Sequence, residues 1–186
     1  AFPGVTLNFE CKDSLGSAAV TAAAATDSFV ILLTQKNPTA AEEDKEAFYS
    51  VGVLAKIRQT VKNSDGGTRV IAEGLCRAPL AAVIELGKFC IANVISKTVI
   101  TDDNGGIEGE AYIREANKVL QGVVRFIPAV ADDIMTHVST IKNPGLYADF
   151  VAANILTRYE DKQAILECFE PMVRIDTLIL LMKHEG

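Results

Sequence analysis

Apolar and polar side chains alternate through much of the first hundred residues. In residues 51–61, valine, alanine and isoleucine occupy most alternate positions, with lysine, arginine and threonine between them. A period of two is typical of a strand with one buried face. The Asn-Ser-Asp-Gly-Gly run at 63–67 predicts a turn, because glycine accepts positive φ at no steric cost. Five further strands are predicted at 5–10, 29–34, 68–73, 77–86 and 88–99.

One of these strands and one helix differ from the alternating pattern. Residues 29–34 form a short, continuous apolar run, which predicts a strand buried on both faces. Residues 14–25 begin with Ser14, a good N-cap, and continue into an alanine-rich run with high helix propensity. About six short strands with one helix predict a small closed or half-closed barrel, or a two-sheet sandwich.

The second half changes to the period of a helix. Residues 101–109 are rich in Asp, Asn and Gly and predict a linker between 1–100 and 110–186. Pro128, Asn143-Pro144 and Pro171 mark helix boundaries, because proline is tolerated in a first helical turn and disrupts a helix interior. Apolar stripes at steps of three and four predict a bundle of four or five helices, so the fold class is α+β. The stripes contain Ile113, Ala116, Leu120, Val123 and Ile127; Val130, Ile134, Val138 and Ile141; Leu146, Phe150 and Ala153; Ile165, Leu166 and Phe169; and Met172, Ile175, Ile179 and Met182.

Charge and composition exclude several classes of protein. The 186 residues are 49% hydrophobic and 23% charged, as in ordinary globular proteins. Residues 1–99 carry ten basic and ten acidic side chains, whereas residues 100–186 carry eight and fourteen and hold the whole net charge of −6. Nucleic acid is therefore an unfavourable partner, because affinity for it rests on neutralising phosphates. The sequence contains no apolar run long enough for a transmembrane helix, and we expect no membrane partner.

Residues that could carry chemistry are few. His137 and His184 are the only histidines, and no zinc motif, phosphate-binding glycine loop or nucleophile–base spacing is present. The sequence therefore predicts no catalytic, metal-binding or cofactor-binding residue. The cysteines form no CxxC pair, and we expect all four to be small buried side chains in a reducing compartment. They are Cys11, Cys76, Cys90 and Cys168.

Six segments, in order along the chain, resemble the amino-terminal domain of Lon-type ATP-dependent proteases. In the first half they are FPG at 2–4, FVILLTQKN at 29–37, YSVGVLAKIRQ at 49–59 and DGGTRVIAEGLCRA at 65–78. In the second half they are NPGLYADFVAAN at 143–154 and EDKQAILE at 160–167. The β half alone also resembles stand-alone Lon-like domains and ubiquitin-ligase substrate receptors, whereas the helix with EDKQAILE and the helix after it resemble the protease proper.

The resemblance implies a PUA-like β-barrel followed by a helical bundle, in a domain that crowns a homohexameric ring. It implies engagement of unfolded or damaged proteins, help in hexamer assembly, and a cytoplasmic parent, or a mitochondrial one if a targeting segment has been removed. ATP, magnesium and the Ser-Lys protease site would belong to other modules of the parent, so the resemblance implies no enzyme activity and no cofactor in this piece.

The start of the first helix departs from the family pattern. Residues 12–16 read Lys-Asp-Ser-Leu-Gly where the family has a basic "GRE-xS" segment, and the alanine run at 17–26 gives that helix short side chains. By position, Lys12, Asp13 and Leu15 are the candidate substrate contacts, with an ordinary strand-to-helix turn as the alternative. The alternative functions are a stand-alone PUA-like binding module, and a small cysteine hydrolase with a thiol near His137 or His184.

Overall fold

The computed structural model describes residues 1–12, 14–37, 47–64, 66–86, 88–95 and 105–185. The chain divides into two compact units, residues 1–97 and residues 98–186. Among the described residues, the first is a β unit with one helix, and the regular structure of the second is entirely helical. The predicted α+β class is confirmed.

The β unit contains five strands and one helix among its described residues. They are β1 Thr6–Cys11, α1 Ser14–Ala24, β2 Phe29–Leu32, β3 Val51–Lys62, β4 Thr68–Leu86 and β5 Phe89–Val94. All pairings are antiparallel, in the order β1-β4-β3-β2, and β5 pairs with the far half of β4. The first half of β4 therefore lies between β1 and β3, whereas its second half forms a hairpin with β5.

The prediction of two separate strands at 68–73 and 77–86 is wrong, because β4 runs continuously through Gly74. The pairing with β3 shifts between Leu54 and Ala55, so Leu75 is an extra residue in a bulge. The carbonyl of Phe2 occupies the place of a side chain at Gly74, where an added Cβ would lie 2.2 Å from that oxygen. Glycine here permits a close approach of two backbones rather than a break in the strand.

The predicted alternation of buried and more exposed side chains along β3 is confirmed only as far as Ile57. Val51, Val53, Ala55 and Ile57 are buried, but Val61 is 47% exposed. A second register shift, between Ile57 and Gln59, explains this difference, because one extra residue turns the following side chains to the opposite face.

The prediction that residues 29–34 are buried on both faces is also wrong. Val30 and Leu32 pack against the β-unit core with α1, but Phe29 is 38% exposed. Strand β2 ends the sheet order, so among the described residues it is an edge strand that pairs with β3 alone.

Among its described residues, the helical unit contains five helices, the upper end of the predicted four or five. They are α2 Gly106–Val124, α3 Pro128–Val138, α4 Pro144–Ile155, α5 Tyr159–Glu167 and α6 Pro171–Glu185. The expected start of α4 is confirmed, since the Asn143 side-chain oxygen accepts a hydrogen bond of 3.0 Å from the Leu146 amide. The predicted linker is partly wrong, because residues 106–109 already belong to α2; residues 101–104 lie outside the described residues.

The predicted buried stripe of α4 is wrong. Leu146 is 55% exposed, and Phe150 and Ala153 are only half-buried. The buried face is formed instead by Tyr147, Ala148, Val151, Ala152 and Ile155. Several stripes are possible when most residues of a helix are apolar, and the neighbouring helices select one of them. The buried phenol of Tyr147 donates a 2.9 Å hydrogen bond to Asn117, and burial raises its pKa, so it is a protonated donor at neutral pH.

A buried ion pair joins α4 to α6. Arg174 Nη1 lies 3.2 Å from Asp149 Oδ2, and both side chains are less than a tenth exposed. The same guanidinium donates to the carbonyl oxygens of Cys168 (2.8 Å) and Phe169 (3.0 Å), which follow the last turn of α5. One side chain of α6 therefore satisfies polar groups of α4 and of the segment after α5, which compensates for its own desolvation.

We expect Arg174→Met to lower the free energy of unfolding of the helical unit by about 3–5 kcal/mol, because the Asp149 carboxylate would stay buried without its cation. Arg158 provides a matched control: it pairs with Glu160 and Asp161 at the surface, and Arg158→Met should cost less than about 1 kcal/mol. Urea unfolding followed by circular dichroism at 222 nm measures both. Equal losses in the two variants would contradict the structural role of Arg174.

Candidate functional site

An apolar groove of about 910 Å³ opens in the β unit beside helix α1. Its first wall is one face of α1 and the turn that follows it; the second is β2, and the third is β5 with Val83 of β4. The lining residues of α1 and its turn are Leu15, Gly16, Ala19, Ala22, Ala23, Thr26 and Asp27. Those of the strands and nearby segments are Phe29, Val30, Ile31, Leu33, Gln35, Phe48, Leu54, Val83, Phe89, Cys90, Ile91, Ala92 and Val94.

The short side chains of α1 are the local cause of this space. Leu15, Ala19, Ala22 and Thr26 follow steps of four, three and four, so they form one stripe along the helix and the turn after it. Val20 points to the core of the β unit instead and anchors the helix there. Since alanine carries only a methyl group, the stripe cannot fill the volume beside β2 and β5.

The turn between α1 and β2 places Asp27, the one charged residue among the described residues that line the groove. Ser28 has a φ of 66°, a left-handed conformation that is uncommon outside glycine. The Asp27 carboxylate accepts hydrogen bonds from the Phe29 amide (3.1 Å) and the Thr26 hydroxyl (3.4 Å). Asp27 is the sole charged member among the described lining residues, so the groove is nearly neutral with a weakly acidic end.

Strand β2 approaches β3 closely at Gly52, which sets the position of the second wall. A Cβ at Gly52 would lie 2.6 Å from both the Leu32 carbonyl oxygen and a Leu33 side-chain carbon. On the outer side, the Lys56 ammonium lies 5.3 Å from the centre of the Phe29 ring, a cation–π contact at the groove's rim.

The three predicted substrate contacts have different places in the structure. Leu15 lines the groove at the start of α1. Lys12 is exposed and forms a surface ion pair of 3.5 Å with Glu10. Asp13 lies outside the described residues. Their role in binding substrate stays a prediction, and the groove itself was not predicted, although the alanine run was the sequence signal for its first wall.

The prediction that all four cysteines are buried is wrong. Cys11 is buried and Cys168 is half-buried, but Cys76 and Cys90 are exposed. Cys76 and Cys90 lie on strands, where successive side chains point to opposite faces, so an apolar sequence context does not guarantee burial. Cys90 lines the groove and Cys76 does not.

The described residues contain no obvious centre for chemistry. Exposed His137 stacks on Phe150 with ring centres 4.2 Å apart. Within the described ranges, no group of three His, Cys, Asp or Glu side chains is placed to hold a metal ion. No helix in that part of the chain is long and apolar enough to cross a membrane. The apolar groove is therefore the candidate site, and its apolar lining favours the binding of a ligand over catalysis.

The family model for the ATP-dependent protease La (LON) substrate-binding domain matches residues 1–184. The Lon protease of Brevibacillus choshinensis is 26% identical over 185 residues, 99% of this chain and 23% of that protein. The Lon protease of Escherichia coli strain K12 is 29% identical over 159 residues, 86% of this chain and 20% of that protein. The chain thus spans less than a quarter of the length of these relatives.

Two solved structures share the fold. The N-terminal domain of a Mycobacterium avium complex Lon protease superposes with a TM-score of 0.69 at 25% identity, covering 98% of this chain and 91% of that one. A Lon N-terminal domain protein from Xanthomonas campestris superposes with a TM-score of 0.64, covering 96% and 90%. At 13% identity, the second likeness concerns the fold alone.

The exposure of the thiols predicts their order of reaction with a neutral maleimide. Cys76 and Cys90 should be modified first, and Cys11 at least about tenfold more slowly, because its reaction must wait for a local opening of the β unit. Mass spectrometry of peptides after timed labelling measures each rate. Modification of Cys11 as fast as Cys90 would contradict the packing of α1 against the sheet.

Proposed function

Since the chain belongs to the family of the ATP-dependent protease La (Lon) substrate-binding domain, we propose that it engages unfolded or damaged protein chains for a Lon protease and holds their apolar segments in the groove beside α1. The observation that carries this proposal is the groove's lining, which is apolar along three walls and has one charged residue among those described. Unfolded chains expose the apolar side chains that folded proteins bury, so such a lining favours unfolded chains.

The expected affinity follows from the size of the groove. Burial of one leucine-sized side chain contributes about 1.5–3 kcal/mol. Two or three such side chains contribute about 3–9 kcal/mol, and ordering a flexible segment costs about 2–5 kcal/mol, so we expect dissociation constants no tighter than about 10 µM. Weak binding of this order lets a segment be captured and then released to another module.

Assembly and catalysis are further parts of the proposal. We infer that the parent is a cytoplasmic, homohexameric, ATP-driven serine protease, and that this piece supplies neither its catalytic residues nor its ATP and magnesium sites. Exposed apolar side chains on the helical unit support a contribution to self-association, because contact with another subunit would cover them. They are Ile107, Phe126, Leu146, Val173 and Leu180.

Substitution of Ala19 tests the groove directly. We expect Ala19→Leu to weaken binding of reduced, carboxymethylated lactalbumin by about tenfold or more, because the new side chain occupies space meant for a side chain of the ligand. Ala24→Leu is the matched control, since Ala24 is exposed on the same helix and does not line the groove. Fluorescence anisotropy of the labelled polypeptide measures binding, and the native form of the same protein should bind more weakly.

Three outcomes would count against the proposal. Equal binding by the Ala19→Leu and Ala24→Leu variants would place capture elsewhere. Hydrolysis of ATP, followed in the same tubes, would contradict a non-catalytic module. Tighter binding of single-stranded RNA than of the unfolded polypeptide would favour the alternative, a stand-alone PUA-like module.

A further inference from the structure

We propose that a bound segment enters the groove as an added β-strand along the outer edge of β2, held by main-chain hydrogen bonds at Ile31. This inference rests on the proposed function and specifies the substrate's conformation: a short, extended, uncharged stretch of polypeptide. It concerns how the groove binds, whereas the proposed function concerns what the groove binds.

The hydrogen-bonding pattern between β2 and β3 shows which main-chain groups of β2 point away from β3. The Ile57 amide donates to the Ser28 carbonyl at 2.7 Å, which makes these two residues a hydrogen-bonded pair. Such pairs alternate in an antiparallel ladder, so Val30 forms the next one with Ala55. The intervening residues, Phe29 and Ile31, therefore direct their amide and carbonyl groups away from β3.

One of these outward groups already has a partner inside the chain. The Asp27 carboxylate accepts a hydrogen bond of 3.1 Å from the Phe29 amide, so this amide is not available to an added strand. Ile31 has no main-chain partner on that side among the described residues, and both Phe29 and Ile31 line the groove. The open part of the edge thus consists of the Phe29 carbonyl and the Ile31 amide and carbonyl.

The lining of the groove includes the outward edge of β2. A neighbouring strand lies about 4.8 Å away from its partner, and the opposite wall is the small-residue stripe of α1. Val30 and Ile31 point to opposite faces of β2 and both line the groove, so the groove runs along the edge rather than over one face. The four residues of β2 match an added segment of about four or five residues, at about 3.3 Å per residue.

Charge restricts the occupant further. The Asp27 carboxylate in the lining and the Lys56 ammonium beside Phe29 carry opposite charges, so the described part of the groove has no strong net charge and provides no matched set of charges for a charged segment. Ile91 and Val94 on β5 are more than two-fifths exposed and face the same space, where they offer apolar contacts to alternate side chains of an extended segment. These features favour an uncharged, extended polypeptide over a helix, whose main-chain groups are already paired.

A series of N-methylated peptides tests strand addition on the unmodified protein. The probe is a capped, unstructured decapeptide with valine at alternate positions, serine or threonine between them, a lysine near each end and no acidic residue. Each member of the series carries one N-methyl group at a successive position. Methylation of either of two amides two residues apart, those that donate to the Phe29 and Ile31 carbonyls, should weaken binding by about tenfold, the loss of one main-chain hydrogen bond, whereas methylation of the amide between them should have little effect.

Two readouts on the protein separate this inference from the proposed function. The probe should slow maleimide labelling of Cys90 and leave Cys76 unchanged, which reports occupancy of the groove. It should also slow hydrogen exchange of the Ile31 amide, measured by NMR. Protection of Cys90 with a uniform response to N-methylation would overturn strand addition and leave the groove as a side-chain site.

Two other results are decisive. Absence of Cys90 protection, with the lactalbumin probe as well as the decapeptide, would overturn the proposed function itself. Slow exchange of the Ile31 amide without any peptide, in a dimer detected by sedimentation, would assign the edge to a second copy of the chain and overturn the inference.

Discussion

The hydrogen-bonded pairing of β3 with β4 is the interaction on which the β unit depends. Strand β2 is attached to the sheet through β3, and β1 and β5 are attached through β4. Its two register shifts, at Leu54/Ala55 and at Ile57/Gln59, turn both strands and decide which side chains face the core. A displacement of this pairing would move β2 and β5, the two strand walls of the groove, together.

The groove exists because the remaining wall is made of small side chains. Packed interiors leave few voids when side chains can fill them, and the α1 stripe at Ala19 and Ala22 cannot. The Asp27 carboxylate satisfies the Phe29 amide locally, so the edge of β2 is closed at one end and open at Ile31. Two of the groove's three walls, the open strand edge and the one charged residue among the described lining residues thus come from one short stretch of sequence, residues 15–33.

Sequence patterns predicted the positions of helices and strands better than they predicted which side chains are buried. The period of two in 51–57, the Asn143-Pro144 start and the Pro128 and Pro171 boundaries depend on neighbours in sequence, and the structure confirms them. The buried face of α4 depends on α2 and α6, and the exposure of Cys90 depends on which face of β5 meets solvent. The groove was beyond prediction for the same reason, since it requires α1 and β5, about seventy residues apart, to line one space.

Hydrogen exchange of the whole chain, with and without reduced, carboxymethylated lactalbumin, tests the central claim most directly. If the groove holds unfolded polypeptide, protection should appear in peptides that cover residues 15–33 and 89–95, because opening of these walls would require release of the ligand. Peptides of the helical unit should be unchanged at the same occupancy. Protection confined to residues 105–185 would contradict the account and place substrate capture on the helices.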